Sequence, residues 1–109
     1  MHRIQNYVLG GWTAGEGEGT PLFDSVTGEL IGYAGTTGID FEAVLRYSRT
    51  KGGEKLRKMT FQERGNMLKA LALYLNKRKE QFYEVSYRTG ATRTDSWIDI
   101  EGGFGNLFA

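Results

Sequence analysis

The feature that most constrains this chain is a change of pattern at Gly38. Before it, glycines cut the sequence into short pieces, and beyond it apolar residues recur at helical spacing. Short pieces with turn residues between them make strands, whereas recurrence near every third or fourth residue makes amphipathic helices. The expected class is therefore α+β within a single segment spanning 1–109, with strands and loops over 1–37 and helices over 38–109.

In the first part, Gln5-Asn6-Tyr7-Val8-Leu9 reads as a strand, Gly10-Gly11 as a hairpin turn, and Trp12-Thr13-Ala14 as the return. The run from Gly15 to Pro21 carries Glu16 and Glu18 between permissive glycines and is expected to form an exposed loop. Leu22 to Val26 and Glu29 to Ala34 give a second hairpin about Thr27-Gly28.

In the second part, Asp40 is placed to cap a helix carrying Phe41, Val44, Leu45 and Ser48, and Gly52-Gly53 is expected to end it. Thr60 and Glu63 have capping-box spacing ahead of a stripe through Arg64, Met67, Leu68, Leu71, Ala72, Leu75, Phe82 and Val85. The polar run Asn76-Lys77-Arg78-Lys79-Glu80 interrupts that stripe, so two abutting helices or a kink are expected. Thr92 and Asp95 open a last helix with Trp97, Ile100, Phe104, Leu107 and Phe108 on its apolar side. The expectation is three or four helices. Gly102, Gly103 and Gly105 each cost that last helix about 1 kcal/mol relative to alanine. Either it frays there or another element packs closely on its backbone.

Few chemistries are open to such a chain. With no cysteine among 109 residues, disulfides, thiolate metal sites and cysteine nucleophiles are excluded within it, and with His2 as its one histidine a hydrolytic triad is excluded too. Gly15-x-Gly17-x-Gly19 has the look of a phosphate cradle, but its interposed glutamates repel phosphate and Pro21 follows where a helix should begin. Asp95, Asp99 and Glu101 read as a cap and a solvated face rather than a hard-metal cluster, and His2 as an incidental exposed terminus.

Arg46, Arg49, Lys51, Lys55, Arg57 and Lys58 read as ordinary charged surface, and Arg64 as a structural clamp laying its stem on the core. The many aromatics, Tyr47, Tyr74, Tyr83 and Tyr87 among them, read as core or interface rather than base-stacking platforms. The residues thus offer no catalytic, cofactor-binding or metal position. A formal charge of +1 gives no drive toward nucleic acid, and no apolar run suits a membrane helix or signal peptide, so the expected compartment is the cytoplasm.

The run Gly90-Ala91-Thr92-Arg93-Thr94-Asp95-Ser96-Trp97-Ile98-Asp99-Ile100-Glu101-Gly102-Gly103 resembles the N-terminal aldehyde dehydrogenase domain of the bifunctional ring-opening enzymes of bacterial phenylacetate catabolism. Met59-Thr60-Phe61-Gln62-Glu63-Arg64, Met67-Leu68-Lys69-Ala70-Leu71 and Tyr7-Val8-Leu9-Gly10-Gly11-Trp12 support it in order and spacing. Thr27-Gly28-Glu29 and Thr89-Gly90 are similar to the wider aldehyde dehydrogenase superfamily, and Ala91, where many relatives carry lysine, narrows the likeness to the ring-opening subgroup.

The resemblance covers essentially the whole chain but only the opening of a much longer enzyme. It implies a parent that captures an aldehyde on a thiolate, passes hydride to NAD(P)+ and releases the acyl group to water. In the subgroup it further implies a separate hydratase domain that opens an oxepin-CoA ring. All reacting groups would lie beyond these residues, leaving this segment a structural part, inert alone, of a homo-oligomeric parent. The segment itself is expected to self-associate as a homodimer through Trp97, Ile100, Phe104, Leu107 and Phe108. A free-standing helical interaction module is the alternative from another class, and a small nucleic-acid binder a third.

Overall fold

A computed structural model describes residues 2–109. The chain divides into two compact units, the first ending at Lys58 and the second running Met59–Ala109.

The first unit holds two small sheets. Strands β2 (Asn6–Val8) and β3 (Gly11–Thr13) pair antiparallel, Val8 opposite Gly11. The turn is therefore Leu9-Gly10, one residue earlier than the expected Gly10-Gly11, and both residues have positive φ, 53° and 78°. A two-residue hairpin needs this mirror-image turn to match the twist of its strands, and here a leucine is forced to supply half of it.

The other sheet has the order β1-β5-β4, with β1 His2–Arg3, β4 Thr20–Phe23 and β5 Leu30–Ala34. Strands β4 and β5 form the expected second hairpin, but β4 is shorter than expected and Val26 falls in the turn. There the Asp24 carboxylate accepts from the Val26 and Thr27 amides at 2.8 and 3.1 Å. Pro21 lies on an edge strand, where its missing donor is tolerated.

Strand β1 is a correction to the sequence reading, which left His2 at a loose terminus. His2 and Arg3 pair parallel with Gly32 and Tyr33. Gly32 is buried, and a Cβ there would collide with the His2 carbonyl oxygen, so the parallel pairing depends on the missing side chain. Asn6 ties the two sheets together, its amide donating to the Gly35 carbonyl at 2.9 Å.

Helix α1 (Phe41–Tyr47) is capped by Asp40, whose carboxylate accepts from Ala43 N at 3.1 Å. It does not stop at Gly52-Gly53. It widens into a π turn over Ser48–Gly52 and resumes as α2 (Gly53–Arg57), both glycines holding right-handed helical angles rather than the left-handed ones of a helix stop.

The second unit is three helices: α3 (Phe61–Asn76), α4 (Lys79–Arg88) and α5 (Arg93–Phe108). Thr60 and Thr92 cap α3 and α5 by accepting from Glu63 N and Asp95 N at 3.1 and 3.2 Å. The expected interruption falls at Lys77-Arg78. There Arg78 donates to the Tyr74 carbonyl at 3.1 Å and stacks on the Tyr74 ring, closing the end of α3.

The centre of this unit is small. Ala72 of α3, Tyr83 of α4 and Ser96 of α5 are at most 1% exposed. The helices are rotated relative to the expected stripes. Phe82 and Val85 are exposed while Tyr83 points inward, and Trp97 and Phe108 are exposed while Ser96, Ile100, Phe104 and Leu107 line the inner side of α5. Phe82 and Phe104 meet edge to face at 5.7 Å. Helix α5 runs unbroken through its glycines, and a Cβ at Gly102, Gly103 or Gly105 would meet nothing within 4 Å beyond the helix's own nearby backbone, so among the described residues no neighbouring element crowds it there.

Candidate functional site

The densest polar cluster in the second unit is built on α4 and α5. Lys79 and Tyr83 lie one helical turn apart on α4, and both reach Glu101 of α5. The Lys79 ammonium donates to Glu101 Oε1 at 3.2 Å, and the Tyr83 hydroxyl donates to Glu101 Oε2. Arg93, at the start of α5, lies over the Tyr83 ring at 4.5 Å, donates to the Tyr87 hydroxyl at 3.1 Å and stands 3.6 Å from Glu80. Beneath these groups the hydroxyls of Ser86 and Ser96 share a hydrogen bond of 2.8 Å, which satisfies the wholly buried Ser96. A shallow cavity of about 240 Å³ opens beside Tyr83, Arg93, Thr94, Trp97 and Glu101.

Burial, and then the hydrogen bond to a carboxylate, push the Tyr83 hydroxyl up to about 12. The same hydrogen bond, helped by Lys79, holds Glu101 below the usual carboxylate range. Arg93 is held more firmly protonated, first by its bond to Tyr87. At neutral pH Tyr83 is thus a neutral phenol, Glu101 a carboxylate and Arg93 a guanidinium, each occupied by a partner. General acid-base work needs a group poised near the working pH and free to exchange its proton, and none of these is. The arrangement clamps α4 to α5.

The residues weighed from the sequence are scattered. Glu101 turns to Lys79 and Tyr83 rather than joining Asp95 and Asp99, and no group of three or more potential ligands gathers for a metal among the described residues. Arg64 is exposed and its guanidinium has no hydrogen-bond or ion-pair partner among the described residues, which corrects its reading as a clamp. His2 is an exposed strand residue.

The carbonyls of Gly15 and Gly17 accept from the Arg3 guanidinium, and Gly19 leads into β4. A dinucleotide cradle presents amides ahead of a helix, so this loop does not fit NAD(P). Sequence reasoning missed Tyr83 and Lys79 as the partners of Glu101. Their spacing on one helix is visible, but the facing helix is not.

No protein-family profile matches the chain. It is 39% identical over 101 residues to the 3,4-dehydroadipyl-CoA semialdehyde dehydrogenase of Aromatoleum evansii, a match covering 92% of this chain and 20% of that protein. The likeness is thus to a stretch of a semialdehyde dehydrogenase. The chain spans about a fifth of the length of the curated relative it matches. No helix among the described residues is long and apolar enough to cross a membrane.

Proposed function

We propose that the chain is a structural segment of a cytoplasmic, NAD(P)-dependent aldehyde dehydrogenase that oxidises a CoA-linked semialdehyde in aromatic-compound breakdown, the bifunctional ring-opening enzyme of phenylacetate catabolism being the specific parent. The observation that carries the reading is the 39% identity extending over 92% of the chain. The α+β arrangement suits an incomplete piece of the dehydrogenase α/β fold. The segment supplies helices and small sheets, while the nucleophile, the base and the coenzyme site belong to the rest of the parent. The sequence has no cysteine to act as the nucleophile.

Two measurements test this. The chain alone, mixed with NAD+ or NADP+ and a CoA-linked semialdehyde, gives no coenzyme reduction above a heat-treated control. When it replaces the matched stretch of the Aromatoleum enzyme, the chimera retains semialdehyde oxidation. Turnover by the chain alone overturns the claim that it is inert. A chimera that folds and assembles but cannot oxidise the semialdehyde overturns the assignment.

A further inference from the structure

We propose that the notch at the π turn of the first unit binds a phosphomonoester, with two arginines taking the phosphate and the apolar rim taking the body attached to it. The proposal is independent of the dehydrogenase reading, since it uses no coenzyme and none of the α4–α5 clamp.

The π turn needs a reason. A helix that widens over Ser48–Gly52 is rare, and such single-turn bulges are frequent at functional sites. Every residue of the turn is exposed within this chain, so no packing inside it accounts for the widening. What the turn does is open a cavity of about 590 Å³ whose walls include Tyr47, Arg49, Gly53, Leu56 and Arg57. Gly53 is among its lining residues, and a Cβ there would stand 3.1 Å from Arg57 Nη1, so the guanidinium folds back close against the Gly53 backbone.

The charge of the cavity is one-sided. Arg49 and Arg57 have no anionic partner among the described residues, and no carboxylate residue lines the walls. The acidic residue of α2, Glu54, is engaged with Lys58 at 3.4 Å. Two guanidiniums at one concavity match the forked geometry of a phosphate better than a single carboxylate, while the Tyr47 ring and Leu56 offer a surface for a planar or apolar body.

Adenosine monophosphate, inorganic phosphate and adenosine, each titrated into the isotope-labelled 109-residue chain at low salt, test the site. Adenosine monophosphate should shift the amides of residues 47–57 saturably, with a dissociation constant of roughly millimolar or tighter, as two charge-assisted contacts on an open surface allow. Inorganic phosphate should shift the same amides more weakly, and adenosine should leave them in place. Arg57→Gln should weaken binding by about tenfold, the loss expected for a charge-assisted hydrogen bond. Gly53→Ala should weaken it with the helical signal intact, whereas Lys55→Gln, outside the cavity, should not. Equal weakening by Lys55→Gln would reduce the effect to diffuse surface charge and overturn the site. So would the absence of saturable shifts in the unsubstituted chain, or binding of a phosphodiester oligonucleotide without the monoester.

Discussion

Leu9 holds a backbone conformation that costs a branched side chain about 1–2 kcal/mol, and its own side chain is half exposed, so packing does not return the cost. Asparagine tolerates the same angles, and Leu9→Asn should raise the urea midpoint by an amount worth about 1 kcal/mol. An unchanged or lower midpoint would mean that the leucine side chain stabilises the hairpin.

Tyr83 and Glu101 set a second expectation at this scale. The Tyr83 hydroxyl ionises less readily in the fold, so its contribution to stability is complete below 10.0, its ordinary value, and is lost as pH rises through about 12. Glu101 works in the opposite sense: its contribution is present above 4.5 and is lost as pH falls through its depressed folded value. Denaturation midpoints against pH should therefore be flat between these limits and fall outside them, and Tyr83→Phe should remove the alkaline fall and reduce the acid one. None of this pairing was legible in the sequence, where Glu101 stood nearest to Asp95 and Asp99.

At the scale of elements, the caps decide where helices begin. Thr60→Ala removes the acceptor for Glu63 N and should cost about 1 kcal/mol. On α5 the open space above Gly103 means that Gly103→Ala should instead stabilise by about 0.5–1 kcal/mol in the chain alone. Urea denaturation followed by the helical signal reads both.

These caps were legible in the sequence because a threonine or aspartate three residues before the amide it accepts from is a local pattern. The break at Lys77-Arg78 was legible for a similar reason, a polar run interrupting an apolar period. Helix rotation was not. Periodicity placed Trp97 and Phe108 inside α5, but the inner line is set by Ser96, whose hydroxyl is satisfied by Ser86 across the helix pair. Strand β1 was hidden for another reason: a parallel pair joins residues distant in sequence and leaves no turn to mark it. The π turn was hidden as well, because a glycine pair is also the commonest signal for a helix stop.

For the whole molecule, self-association stands as a proposal, with its surface redrawn. Ile100, Phe104 and Leu107 are partly used within the second unit, leaving Trp97, Ile98 and Phe108 of α5 exposed with Phe61, Leu71 and Leu73 of α3. Sedimentation equilibrium over a concentration series should show a homodimer, and Trp97→Asp with Ile98→Asp should shift the mass toward monomer. A monomer at every soluble concentration would refute the pairing, and a dimer indifferent to those substitutions would place its interface elsewhere.

The parallel pairing of β1 with β5 bears on the chain during its own synthesis. His2 and Arg3 leave the ribosome about thirty residues ahead of their partners Gly32 and Tyr33. Strand β4 waits for the same partner, since β5 lies between the two. The three-stranded sheet therefore closes in one event, when β5 emerges. Until then the β1 segment and the glycine loop that Arg3 will hold are both open to whatever acts on unfolded chain at the exit tunnel.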